Sequence, residues 1–230
     1  MDPQFDDGRP RARQRERLLN APWPSLAIVG AILLSYLLQS RLAGGEGIVL
    51  DWGFSPAALE QGRWSTLFTM MFLHGGWTHA ITNAAGALAF GPPVARLMGG
   101  RPAGIVGFFG FYLLCGVIAS LGYTALNAHD PVPLIGASGA VSALMGGASR
   151  LLGQDGRLAP IWSRGAVSLG LGYIAVNALL ALTGVTPLMP GAKIGWEAHI
   201  VGFLAGLLLI GPFARVFGQV SGRAHAEDVT

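Results

Sequence analysis

The sequence has few charged residues and a single cysteine. Charged side chains make up 12% of the 230 residues, about half of the roughly 25% that is typical of soluble domains. Nine of these charges lie within the first 20 residues, so the rest of the chain is more apolar still. The low charge content therefore disfavours an ordinary soluble domain. Because Cys115 has no second cysteine to pair with, an internal disulfide is excluded.

Hydrophobic residues account for 52% of the chain, and they fall in six stretches without Asp, Glu, Lys or Arg. The six stretches are 18–40, 64–95, 102–129, 131–149, 165–192 and 198–214. Each contains or approaches the roughly 17 to 25 residues that a membrane helix needs, whereas barrel strands would alternate over about 10 residues. The sequence therefore predicts an all-α membrane protein with six transmembrane helices.

The second stretch is too long for one span. We expect its helix to start at about Thr78, after a pair of glycines, and to end at Gly91. Pro92 and Pro93 should stop it there, because proline disfavours helical geometry in the residue before it. The upstream part, 63–74, is expected to be a re-entrant or interfacial segment surrounded by protein or water.

Basic residues are distributed unevenly over the predicted loops. If the N-terminus is cytoplasmic, 12 of the 15 basic residues lie on that side, as the positive-inside rule requires. We expect a helical domain at 23–217 between cytoplasmic tails at 1–22 and 218–230. A cleaved signal peptide is disfavoured, because the apolar run exceeds the usual 7 to 15 residues. Four acidic residues within the basic N-terminal segment argue against a nucleic-acid partner.

Polar side chains are rare within the predicted spans, and function is expected at those present, because each is costly in lipid. His79 and Asn83 lie four residues apart on the second helix and share a face. Ser138 opens the fourth helix and His199 opens the sixth. The predicted topology starts all three helices on the non-cytoplasmic side, so the four side chains lie at one depth.

Small residues predict which of these helices touch. They are Ser138, Ser142 and Gly146 on the fourth helix, and Gly202 and Gly206 on the sixth. Such spacing allows close packing of membrane helices, which would bring Ser138 to His199. A histidine beside a serine hydroxyl can activate it as a nucleophile. His79, Asn83 and the Ser138 N–H could then donate hydrogen bonds to an oxyanion.

Three segments around these residues resemble the rhomboid family of intramembrane serine proteases. They are 72–83 (FLHGGWTHAITN), 136–139 (GASG) and 198–202 (AHIVG), and the resemblance covers about 24–217. It implies the six-helix form and cleavage of peptide bonds in or near transmembrane segments of other proteins. It also implies that Ser138 is the nucleophile, His199 the general base, His79 and Asn83 oxyanion support, and His74 a structural residue.

Two positions depart from the family's pattern. Relatives usually carry a Trp-Arg pair after the first helix, but here Arg63 precedes Trp64, and Thr66 stands where arginine is expected. Four residues after the nucleophile, relatives often have an aromatic residue that packs on the catalytic histidine, where this chain has Ser142. Another group is therefore expected to hold the imidazole.

Carboxylates are scarce near the predicted site. Between Leu67 and Val220 there are only Asp130, Asp155 and Glu197. Asp130 is expected in an outer turn and Asp155 in an inner loop, while Glu197 lies about 200° from His199 around a helix. The sequence therefore predicts a Ser-His dyad without an acidic third member.

These observations predict a serine endopeptidase that acts on single-pass or other transmembrane proteins within the lipid bilayer, with no cofactor. The excess of arginine, 14 against one lysine, favours a bacterial source and the cytoplasmic (inner) membrane. A metal held by His74, His79 and His199 is disfavoured, because the first two do not share a helical face. The alternatives are an inactive rhomboid-like protein that binds transmembrane clients, and a small transporter, although the inner halves of the helices offer few polar side chains.

Overall fold

The computed structural model describes residues 20–42, 45–154, 156–184 and 194–218. The described residues form helices and contain no strand, which confirms the predicted all-α class. The longer helices are α1 (Trp23–Arg41), α5 (Trp77–Met98), α6 (Pro102–Leu126), α7 (Ser138–Ser149), α8 (Arg164–Thr183) and α9 (Trp196–Phe217). The shorter ones are α2 (Gly45–Trp52), α3 (Pro56–Glu60), α4 (Thr66–Thr69) and a 3-10 helix (Met70–Phe72).

Among the described residues, four helices are long and apolar enough to cross a membrane, namely α1, α6, α8 and α9. The chain is thus an integral membrane protein. The other two predicted spans fall on α5 and α7, and α7 has only 12 residues, or about 18 Å at 1.5 Å per residue. Much of its predicted stretch, 131–149, is not helical, because Pro131 and Pro133 stand in its first part and the helix begins only at Ser138.

The predicted end of the second span was wrong. Helix α5 does not stop at Gly91 but continues through Pro92 and Pro93 to Met98. A proline inside a helix costs about 3 kcal/mol or more, but the last turns of α5 are anchored by buried Val94 and Met98. The burial of these two residues, and of Gly91 and Ala95 on either side of the prolines, explains why the helix continues past the prolines.

Helix α7 lies at the centre of the fold, against α5, α6 and α9. Ten of its twelve residues are buried. The contact with α9 is backbone to backbone, since a Cβ atom at Gly206 would overlap the Ala143 carbonyl and one at Gly146 would overlap that of Phe203. The predicted packing of the two small-residue faces is confirmed, and it fixes the relative position of the N-termini of α7 and α9.

Candidate active site

Ser138 and His199 meet where α7 and α9 begin. The Nε2 atom of His199 lies 2.8 Å from the Oγ atom of Ser138. Gly202, one turn after His199, lies against the Gly139 carbonyl so closely that a Cβ atom would overlap it. The serine and histidine that the sequence singled out are therefore within hydrogen-bonding distance, because glycines let the two helices approach.

The segment before Ser138 is held in place by backbone hydrogen bonds. Leu134 and Phe54 exchange N–H and carbonyl groups at 2.6 and 3.0 Å, and the Gly136 N–H donates to the Met70 carbonyl at 2.9 Å. Gly136 has φ +117°, a conformation that favours glycine. The chain before the serine is thus tied to Phe54, just after α2, and to Met70, the first residue of the 3-10 helix.

His79 lies in the first turn of α5, with its ring directed towards Gly136. Its Nδ1 atom accepts a hydrogen bond from the Gly75 N–H at 3.2 Å, so in the neutral ring the proton is on Nε2. A Cβ atom at Gly136 would be 2.6 Å from that Nε2 atom and 3.8 Å from the Ser138 hydroxyl. A side chain at this position would collide with the His79 ring, so glycine is what allows the Nε2 atom to approach the backbone just before Ser138.

Asn83 lies one turn after His79 and is 5% exposed. Its Nδ2 atom donates to the His79 carbonyl at 2.9 Å. Its Oδ1 atom is buried without a hydrogen-bond partner in the described part of the chain. The structure therefore shows the Asn83 amide bonded to its own helix, with one Nδ2 hydrogen left for another acceptor.

His74 supports the start of α5. The side chain of Gln39, on α1, makes two hydrogen bonds to the His74 backbone. Its Nε2 atom donates to the His74 carbonyl at 2.9 Å, and its Oε1 atom accepts from the His74 N–H at 3.0 Å. The ring packs edge-on against His79, with centroids 5.1 Å apart. The ring itself is fully buried.

The position that departs from the family's pattern after Ser138 has a partner from another helix. The Ser142 hydroxyl donates to the Ser138 carbonyl at 2.6 Å and lies 2.6 Å from the hydroxyl of Tyr173 on α8. Tyr173 in turn stacks on Phe203 of α9, with ring centroids 5.4 Å apart. An aromatic side chain does stand beside Ser142, but α8 supplies it.

The second departure is at Arg63. Its guanidinium donates to the carbonyl of Leu50 at 3.0 Å and to that of Asp51, near the end of α2. Its own carbonyl accepts a hydrogen bond from the Thr66 hydroxyl at 2.6 Å. Arg63 therefore ties the segment before α4 to α2.

Sequence reasoning missed Asn177. Its Oδ1 atom lies 3.0 Å from the Nδ1 atom of His199, on the side of the ring opposite Ser138. Asn177 is only 2% exposed. The sequence does show an amide in the middle of an apolar stretch, and this could have marked Asn177 as a functional residue. A polar side chain in a membrane span is costly unless it faces the protein interior.

The carboxylates of Asp130 and Glu197 make hydrogen bonds to residues other than Ser138 and His199. Asp130 accepts hydrogen bonds from the Tyr123 hydroxyl at 2.8 Å and the Val132 N–H at 2.9 Å. Glu197 accepts one from the Asn127 amide at 3.2 Å, and Asp155 lies outside the described residues. Among the described residues, no three His, Cys, Asp or Glu side chains are placed to hold a metal ion.

The site thus offers a hydroxyl, an imidazole in contact with it, and an N–H donor facing the space beside the hydroxyl. A family model described as Rhomboid domain matches residues 61–216, which include all of these groups. A Bacillus subtilis (strain 168) protein named "Putative rhomboid protease YdcA" is 33% identical over 88 residues, 38% of this chain. The match spans 41% of that protein's length.

Proposed function

We propose that this chain, which belongs to the rhomboid family, is a serine endopeptidase that cleaves peptide bonds in or near transmembrane segments of other membrane proteins. The observation that carries the proposal is the 2.8 Å approach of His199 Nε2 to Ser138 Oγ. A lone serine in a membrane helix normally bonds its own helix backbone, whereas Ser138 faces an imidazole. An inactive relative that only binds transmembrane clients would not require a serine and a histidine in hydrogen-bonding contact.

The chemistry follows from the positions of these groups. The Ser138 oxygen attacks the scissile carbonyl carbon while His199 Nε2 takes the hydroxyl proton. The carbonyl oxygen becomes an oxyanion in the space beside Gly136, where His79 Nε2–H and the Ser138 N–H can donate to it. The imidazolium then returns the proton to the leaving amine, and a water molecule repeats the sequence to release the acyl group and restore the serine.

We further propose that α5 and α7 complete a bundle of six membrane helices. Helix α5 has 22 residues, about 33 Å, which is enough to cross a bilayer. Helix α7 is short and rich in glycine and alanine, but protein surrounds it, so a lipid-facing apolar surface is unnecessary. This bundle would lie in the cytoplasmic (inner) membrane of a bacterium with both tails cytoplasmic, and its partners would be transmembrane protein substrates.

Active-site labelling tests the proposed activity directly. Purified full-length protein in detergent is treated with a fluorophosphonate probe, and the modified residue is mapped by mass spectrometry. We expect an adduct at Ser138 in the wild type and none in the Ser138→Ala and His199→Ala variants, which should also lose cleavage of a transmembrane reporter. Ser168→Ala, in which an exposed serine of α8 is replaced, is the control and should label normally. A folded wild type that resists the probe would contradict the proposal and favour an inactive client-binding protein.

A further inference from the structure

We infer that Asn177 of α8 is a positioning residue for His199: its side-chain carbonyl accepts the Nδ1 proton and keeps Nε2 free to accept the proton of Ser138. The inference deepens the proposed function and rests on it. It replaces the predicted dyad by a Ser-His-Asn arrangement whose third member is neutral and comes from a helix in which the sequence predicted no site residue.

The orientation of the Asn177 amide is fixed by its second hydrogen bond. Its Nδ2 atom donates to the backbone carbonyl of Tyr173 at 3.0 Å, and a carbonyl can only accept. Turning the amide over would place two acceptors face to face, so the Oδ1 atom is the one beside His199. The Nδ1 atom of His199 must then carry a proton.

This hydrogen bond determines the tautomer of His199. A neutral imidazole has one proton, and with that proton on Nδ1 the Nε2 atom is an acceptor. Nε2 is the atom that lies 2.8 Å from the Ser138 hydroxyl. Asn177 therefore holds the ring in the form that a general base requires, as the carboxylate does in soluble triads.

A neutral acceptor suits the surroundings of this site. An unpaired carboxylate is costly at membrane depth. The acidic residues nearest in sequence to His199 and Ser138 have other partners, since Glu197 bonds to Asn127 and Asp130 bonds to Tyr123. An amide avoids that cost and still points its dipole at Nδ1–H when the ring becomes an imidazolium. Its electrostatic help is weaker than that of a charge, so its loss should cost less than loss of a triad aspartate.

Asn177 could instead only attach α8 to α9, and Tyr173 provides the matched control. One turn before Asn177, the Tyr173 hydroxyl joins α8 to α7 through a hydrogen bond with Ser142. Tyr173→Phe removes that contact and keeps the backbone carbonyl of residue 173 that orients the Asn177 amide. If α8 attachment were the only role, Tyr173→Phe and Asn177→Leu would have similar effects.

The first experiment reads the tautomer without relying on activity. ¹⁵N-histidine NMR spectra are recorded on the full chain, and the His199 signals are assigned by their absence in His199→Ala. We expect a protonated Nδ1 in the wild type and in Tyr173→Phe. In Asn177→Leu, which has similar volume and no acceptor, the proton should move wholly or partly to Nε2. An unchanged His199 signal in Asn177→Leu would overturn the inference.

The second experiment reads the consequence for catalysis. Asn177→Leu should lower kcat and the rate of fluorophosphonate labelling about 10- to 100-fold, as expected for one hydrogen bond to a charged group, with KM unchanged. Asn177→Asp keeps an acceptor and should recover part of the rate, and Tyr173→Phe should lose clearly less than Asn177→Leu. Labelling of Asn177→Leu at the wild-type rate would contradict the inference alone. A wild type that fails to label would contradict the proposed activity, while the NMR result would still decide the tautomer.

Discussion

His79 and Asn83, the two residues predicted to support an oxyanion, differ in the hydrogen bonds that their side chains make. His79 directs Nε2–H into the space beside Gly136, whereas the Asn83 amide donates to its own helix. We expect His79→Ala to slow acylation by the probe about 100- to 1,000-fold, the usual loss for one oxyanion donor. Asn83→Ala should slow it less, because only one Nδ2 hydrogen is left to donate.

Single-turnover labelling and reporter cleavage would measure both effects, with the thermal unfolding midpoint as the check on folding. Because the His79 ring also packs against His74, a loss of rate counts only if the midpoint is retained. Wild-type rates in both variants would remove these residues from the oxyanion site.

A second prediction concerns the carboxylates. Asp130→Asn and Glu197→Gln should each stay within about tenfold of wild-type activity, because both side chains bond to groups other than His199. Neutralising the aspartate of a soluble triad costs roughly 10⁴-fold. Reporter kcat in folded variants gives the comparison, and a thousandfold loss in either would reveal an acidic member of the site.

How far the sequence predicts the site depends on whether its residues can be placed by helical spacing. Ser138 and His199 could be paired from sequence because small residues at spacing three and four lie beside each of them. Asn177 could not be paired in this way, because α8 has small residues at spacing four on two different faces, Ala166 with Gly170 and Ser168 with Gly172, and the sequence does not say which face packs against the site. Its role depends on the rotation of α8 about its axis, which only tertiary contacts determine.

At the scale of helices, the contact between α7 and α9 should control the site. Gly206 lies two turns after His199, and a Cβ atom there would overlap the Ala143 carbonyl. Gly206→Ala should therefore push the helices apart, lower stability by about 1 to 3 kcal/mol, and slow labelling of Ser138. The matched control is Gly172→Ala in α8, where a Cβ atom meets nothing within 4 Å.

The two variants add the same methyl group to long helices, so thermal unfolding and labelling rates can be compared directly. Gly172→Ala should match the wild type or be slightly more stable, because alanine favours helix over glycine. Equal behaviour of the two variants would show that the close approach of α7 and α9 does not hold the serine and histidine together.

Helix ends were harder to predict than helices. Each of the six uncharged stretches contains most or all of one of the longer helices of the described residues, because apolar length is a property of local sequence. The end of α5 was wrong because a rule about proline in isolated helices was outweighed by the burial of Val94 and Met98. The start of α7 was predicted at Ser138 and is confirmed, but the pairing of Leu134 with Phe54 just before it, about 80 residues apart in the chain, is a contact that local sequence does not show.

At the scale of the whole molecule, Arg96 and Arg101 lie at the end of the helices opposite the candidate site. Arg96 donates to the Asn20 carbonyl at 3.1 Å, just before α1, and Arg101 donates to the Gly218 carbonyl at 3.2 Å, just after α9. Ser138 and His199 lie where α7 and α9 begin. Since α9 is about 33 Å long, the arginines at its far end and the site are separated by most of a bilayer.

This separation leads to a prediction for the orientation of the whole chain. By the positive-inside rule the arginine end faces the cytoplasm, so the site should open towards the opposite side. The one native cysteine, Cys115, is buried, so single introduced cysteines can report accessibility. Gly100→Cys lies at the arginine end, between α5 and α6, and Ala128→Cys lies after α6 near the site; both positions are exposed.

Intact spheroplasts treated with a membrane-impermeant maleimide should modify Ala128→Cys and leave Gly100→Cys unmodified, because only the first position faces the outer solution. Detergent permeabilisation should expose both, and the wild type should stay unlabelled because its thiol is buried. Modification of Gly100→Cys in intact spheroplasts, with Ala128→Cys protected, would reverse the orientation and place Ser138 near the cytoplasm. A substrate would then have to present its cleavage site at the cytoplasmic side, whereas the predicted orientation requires a cleavage site near the outer surface.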